Sequence, residues 1–210
     1  MKKSLLILPI IASLFLLWCG NANPNANCTT GNVCPLPTTG SQQIQQTSLT
    51  WVAQQTILAI KTQDFATLST LASTNGVRFS AYENVNTWND IVLTVQQIAT
   101  AGATSWAYNR WSYDGSGQPI TLSIGQYRAK FVYDTDFASA PVQQWNQVTQ
   151  RGNVINNITS AYAGKQVIEY HVTGIDPQYN GMDWKSLYLI FDQENGVWKL
   201  IWVVHGQRTI

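Results

Sequence analysis

Apolar residues recur along this chain in three rhythms. From Leu5 to Trp18 they run without a charge, from Ser48 to Phe131 they recur mostly at helical spacing, and beyond Val148 they crowd into short runs broken by turn formers. In the middle stretch Trp51, Val52, Gln55, Ile57, Leu58 and Ile60 follow one helix face, with Ser48 at the amino-cap position. Asp64 to Ala72 predicts a second, shorter helix presenting Phe65, Leu68 and Leu71. Asn75-Gly76 breaks the pattern, and Val77 to Tyr82 reads as extended. A third helix is predicted over Asn89 to Thr100 through Ile91, Val92, Val95 and Ile98. Trp106 to Tyr113 and Gln118 to Leu122 flank Asp114-Gly115-Ser116-Gly117, whose glycines supply the positive φ of a tight reversal, so a hairpin is expected. Ser123 followed by Gln126 has the form of a capping box, placing Ile124, Tyr127 and Phe131 along one stripe.

The final third alternates instead. Val148 to Tyr162, Gln166 to Thr173, Trp184 to Asp192 and Val197 to Val204 predict four antiparallel strands, the last two joined at Glu194-Asn195-Gly196. Helices first and a meander after them make an α+β domain in which a curved antiparallel sheet wraps the helices. That order, over most of Ser48 to Ile210, resembles the nuclear transport factor 2-like superfamily. The resemblance implies a cone-like arrangement, with helices packed on the concave side of the sheet, and a pocket inside the cone, which members such as ketosteroid isomerase and scytalone dehydratase line with carboxylates, tyrosines or histidines. None of their motifs matches here residue by residue. Trp111 to Tyr133, with Tyr113-Asp114-Gly115-Ser116-Gly117 and Lys130-Phe131-Val132-Tyr133, and Gly181-Met182-Asp183-Trp184 through His205 to Ile210, resemble a group of uncharacterised exported bacterial proteins.

The amino-terminal run changes the picture by giving an address. Lys2 and Lys3 precede about 14 apolar residues, short of the roughly 18 to 20 that span a bilayer, so a removable export signal over residues 1–22 is expected, and a periplasmic or secreted protein with it. Gly20-Asn21-Ala22 offers small residues for cleavage; Cys19 offers a lipidation site, although Trp18 precedes it where lipoprotein signals want a small residue. Either route leaves Cys28 and Cys34 as an even pair, expected to form a disulfide in an oxidising compartment. Residues 23–47, rich in Asn, Thr, Pro and Gln, read as a flexible linker. Leu36-Pro37-Thr38-Thr39-Gly40 matches a wall-sorting signal in letters only, because a whole domain follows it. The single domain then occupies residues 48–210.

Net charge is +1 and charged residues make up 11%, which supplies no basic stripe for phosphates, so nucleic acid is not an expected partner. No nucleotide loop, zinc-spaced histidine pair or activated nucleophile is visible, and no metal or cofactor is expected. Asn27-Cys28-Thr29 and Asn157-Ile158-Thr159 match the glycosylation acceptor pattern, which a bacterial chain leaves bare.

Candidate chemistry rests on strand parity. In a regular last strand Val197, Lys199, Ile201, Val203, His205, Gln207 and Thr209 share one side and Trp198, Leu200, Trp202 and Val204 the other. His205, where that first side turns polar, is the leading site candidate, with Gln207 beside it. Glu169, His171 and Thr173 read as a solvated polar row. Asp183 and Trp184 sit where a loop meets a strand at the expected cone mouth. Tyr127 and Trp111 complete the candidate ligand contacts, and Trp106 with Trp111 offers indoles to a cell-wall glycan. These features predict a noncatalytic envelope domain that binds a small ligand, glycan or protein. The alternatives are an acid–base enzyme (isomerase, dehydratase or hydrolase) using His205, and a structural module that self-associates through its sheet, for example as a homodimer.

Overall fold

The computed structural model describes residues 48–103, 107–152 and 154–208, with the backbone alone over 108–111. The export signal, the linker, Cys19, Cys28, Cys34, the sorting-like motif, Trp106 and Thr209 lie outside the described residues.

Helix α1 (Leu49–Thr62) buries Val52, Ala53, Ile57, Ala59 and Ile60 on one face, and the buried Thr56 hydroxyl donates to Val52 O at 2.7 Å. Ser48 holds the amino-cap position without a side-chain capping bond. At the other end Gln63 adopts φ 59°, and the Arg128 guanidinium donates to the Ile60 and Lys61 carbonyls at 2.6 and 3.0 Å, satisfying acceptors the helix itself leaves open. Helix α2 (Phe65–Leu71) starts where the Asp64 carboxylate accepts from Thr67 N.

Strand β1 (Val77–Ser80) follows as expected, but the third helix is shorter than its pattern suggested. Ile91 and Leu93 are buried and Val92 is exposed, so Ile91–Leu93 is strand β2. Thr94 then closes a capping box with Gln97, and α3 covers only Val95–Ala99. The apolar positions fit both periods, and the cap decides where one gives way to the other. The hairpin β3 (Ala107–Ser112) and β4 (Pro119–Ser123) forms its own two-stranded sheet, and the Ser123–Gln126 capping box opens α4 (Ile124–Phe131).

A second correction falls on Val148 to Tyr162, which is not a strand. The ladder is made instead by β5 (Val142–Trp145), and the chain then leaves the sheet and ends in the short helix α5 (Ile158–Ala161). Its branched residues are isolated anchors: Val154 and Ile158 are buried, while the Asn157 amide bonds the Val85 backbone at 2.8 and 3.0 Å. Strands β6 (Gln166–Val172), β7 (Lys185–Glu194) and β8 (Val197–Gln207) follow, the last two joined through Asn195 and Gly196 at φ 52° and 79°.

These strands build one open, curved six-stranded sheet in the order β2-β1-β8-β7-β6-β5. It is mixed rather than wholly antiparallel, because β1 runs parallel to β8 with Phe79 opposite Val203. The expected parity of β8 also fails midway. Ile190 pairs with Trp202 and Phe191 with Leu200, leaving Ile201 as the extra residue of a bulge, and an extra residue exchanges the faces of everything beyond it. Leu200 therefore packs on the same side as Val203, and Trp202 lies with Val204 on the other.

The sheet is covered on both faces. Helices α1 to α4 lie over an inner face built from Phe79, Ile168, Leu187, Leu189, Phe191 and Val203. The outer face carries Val167, Tyr188, Ile190, Trp202 and Val204, packed by Val85, Ile158 and Tyr162. The open apolar sheet face that would favour self-association is thus occupied by the chain itself. No helix among the described residues is long and apolar enough to cross a membrane.

Candidate functional site

Between the inner face and its helices lies an apolar cavity of about 40 Å³. Ile60 of α1, Leu68 of α2, Phe79 of β1, Ile98 of α3 and Ile124 of α4 converge on it because each is the buried member of its element's apolar stripe. Tyr127 and Arg128, both on α4, are the wall residues that carry polar atoms. Tyr127 meets Phe79 edge-on at 6.3 Å and Phe131 at 5.3 Å, and burial pushes its hydroxyl well above the usual phenol value, so it stays neutral. The guanidinium of Arg128 is committed to the end of α1. Walls of this kind give water no partners, and a space of this size takes an apolar guest of only a few atoms.

His205 does not reach that cavity. It is fully buried at the far end of β8, with Nε2 3.2 Å from Asp134 Oδ1 and the rings of Phe131 and Phe137 edge-on at 6.0 and 6.4 Å. Lys185 pairs with the other Asp134 oxygen. Burial alone would raise the Asp134 carboxyl, but the bonds from His205 and Lys185 outweigh it and hold it below the usual carboxylate value. The His205 Nδ1 has no hydrogen-bond partner among the described residues. The histidine has its carboxylate, Asp134 rather than Asp183, and is itself fully buried, so among the described residues the two form a buried polar cluster with Lys185.

The outer face holds a second polar cluster. Glu83 is 1% exposed and Glu169 0%. Tyr188 donates to Glu83 Oε1 at 2.5 Å and Asn156 to the same oxygen at 3.1 Å. Glu169 Oε1 pairs with Arg151 and accepts from Ser186 Oγ at 2.8 Å. Ser186 Oγ also lies 2.9 Å from His171 Nδ1, and since its one proton goes to Glu169, Nδ1 carries the hydrogen. The second oxygens of both glutamates have no partner among the described residues. Burial, reinforced by the charge of Glu169, pushes the Glu83 carboxyl up to about 7 against the pull of its hydrogen bonds and Arg151. Burial and the nearby Arg151 lower His171 to about 4.

Set against the expectations, Tyr127 is in the cavity wall, while His205 is buried in the core outside that wall. Glu169 and His171 do face one side of β6, but the segment after β5 covers them, so these two are buried and only Thr173 of the expected row is exposed. Trp184 is buried on the outer side, its ring 6.0 Å from that of His171, and so does not line the cavity. Asp183 is spent on its own loop, accepting from Ile175 N at 3.0 Å and Asp176 N at 2.7 Å. Gln207 ends β8 opposite Lys185. The side chain of Trp111, in β3, lies outside the described residues. Sequence reasoning missed Glu83, Arg151, Ser186 and Tyr188, which come together only through tertiary pairing. The one local signal was Gly206, where a Cβ would sit 2.9 Å from Glu83 Oε1. No group of three or more His, Cys, Asp or Glu side chains is placed to hold a metal among the described residues.

Comparison of the chain with protein-family models, with curated proteins and with solved structures finds no match.

Proposed function

We propose that this protein is an exported, noncatalytic binding domain of nuclear transport factor 2-like type, which accepts a small apolar ligand between its helices and the inner face of its sheet. The amino-terminal signal pattern supports export. The observation that carries the binding reading is the cavity itself, whose walls are apolar apart from Tyr127 and Arg128, while the proton-transfer groups His205, Asp134, Glu83 and Glu169 are sealed elsewhere. Walls of this kind leave apolar burial to supply the affinity.

Titration of the folded domain with xenon, followed by xenon NMR, tests this. Saturable broadening that disappears in an Ile98→Phe variant, which fills the cavity and still melts cooperatively, supports the reading. An unchanged resonance, or equal binding by the filled variant, overturns it.

A further inference from the structure

Trp88 is 90% exposed, although the loop that carries it is fixed. Arg78 donates to the carbonyls of Thr87 and Asp90 at 2.7 and 3.1 Å. The Asp90 carboxylate accepts from Ser80 and from Asn86 N, the latter at 3.0 Å. Asn86 Oδ1 in turn accepts from Trp88 N at 3.0 Å and Asn89 N at 3.2 Å. Ser80 anchors the assembly to the sheet, receiving the Trp202 indole N–H at 2.7 Å. The loop's own bonds therefore present the indole to water; slack backbone does not.

On either side of Trp88 in the loop, Asn86, Asn89 and Asp90 help to line a polar cleft of about 160 Å³ with Tyr82, Asn84 and Ser112, none of which lines the apolar cavity. Asp90 is the one charged group there and is used internally. The side-chain amides of Asn84 and Asn89 take part in no hydrogen bond among the described residues, although both residues are exposed at the cleft. We infer that Trp88 and this cleft form a binding site for a neutral pyranose glycan, with the indole stacked on the C–H face of a sugar ring and Asn84 and Asn89 bonding its hydroxyls.

The chemistry favours a sugar over other occupants. A pyranose ring has one apolar face and a rim of hydroxyls, which matches one indole plane beside several uncharged amides. Phosphate-bearing ligands need cations that the cleft lacks. A protein interface needs a broader apolar centre than a single indole. A fixed loop also lowers the ordering cost that weak carbohydrate contacts cannot offset.

The test is a fluorescence titration of the full processed chain with cellotetraose and with tetra-N-acetylchitotetraose, together with iodide quenching. Support is saturable binding of either oligosaccharide that shields an indole from iodide, weakens at least about tenfold in Trp88→Ala and about threefold or more in Asn89→Ala, with the unfolding midpoints unchanged. The same variants should leave xenon binding intact, which separates this site from the apolar cavity. No saturable binding, equal binding by Trp88→Ala, or Trp88-dependent attachment to phosphatidylglycerol vesicles with no oligosaccharide response would each overturn the proposal.

Discussion

On the inner face of the sheet one carboxylate, Asp134, meets two donors, Lys185 and His205. On the outer face two carboxylates, Glu83 and Glu169, are buried near a single cation, Arg151. Both clusters are shielded from water, and their acids respond in opposite directions: Asp134 is held below the usual carboxylate value while Glu83 is pushed up to about 7. Burial acts the same way on both and each acid has two donors, so the charges in reach decide the outcome. Lys185 bonds Asp134 directly, whereas Glu83 is bonded by the neutral Tyr188 and Asn156 and faces the charge of Glu169. The stability each contributes has the opposite pH sign. Asp134 supports the fold above its unfolded value and loses that support as acid protonates it. Glu83 binds its proton more tightly folded than unfolded, so it costs stability as pH rises from about 4.5 toward 7.

Removing the one cation of the outer cluster should have the largest effect. Arg151→Ala strands Glu169, a fully buried acid left with Ser186 alone, and should cost about 3–5 kcal/mol in urea unfolding at pH 7. A loss below about 1 kcal/mol would mean that water reaches Glu169 and that the two clusters are not comparable.

Next in size is Glu83→Gln, which keeps the acceptor for Tyr188 and deletes the titration. Above pH 7 the variant should be more stable than the parent by on the order of 3 kcal/mol, and below pH 4.5 the two should coincide. His171 works against Glu83 in the parent. Its value falls to about 4 on folding, so its contribution to stability grows as pH rises from about 4 to 6.5. Over the shared window the two changes offset each other, and the variant should show the His171 rise unmasked. Urea midpoints measured from pH 4 to 8 would show it, and parallel curves for the two proteins would sink the assignment.

What the sequence made legible was local. The helix α2 start at Asp64, the Ser123–Gln126 capping box and the Asn195-Gly196 turn each depend on residues within about one turn of one another. The inner cavity was half legible, since Tyr127 lies on the α4 stripe. The rest needed the chain to close on itself. Glu83 and Tyr188 are 105 residues apart, and the alternation of Glu169 and His171 shows that they share a side without showing what covers it. The bulge at Ile201 has no signature in a run of uniformly apolar residues, yet it decides which of Leu200 and Trp202 faces the helices. The parallel β1–β8 pairing is likewise a long-range event, invisible to a reading that paired strands with their sequence neighbours.

Two glycines sharpen the contrast at smaller scale. In Gly206→Ala the new methyl carbon would lie 2.9 Å from Glu83 Oε1 and 3.0 Å from its Cδ. An exposed carboxylate would swing away, but Tyr188 and Asn156 hold this one, so the substitution should cost about 1–3 kcal/mol. In a Glu83→Ala background the obstacle is gone and the same substitution should cost less than about 0.5 kcal/mol, a coupling that a double-mutant cycle of unfolding free energies measures directly. Gly125, on the inner-face helix α4, meets nothing within 4 Å of its would-be Cβ. Gly125→Ala should instead stabilise the fold by about 0.4–1 kcal/mol through helix propensity and a less entropic unfolded chain. Equal costs at the two glycines would show that Glu83 is not packed against the β8 backbone.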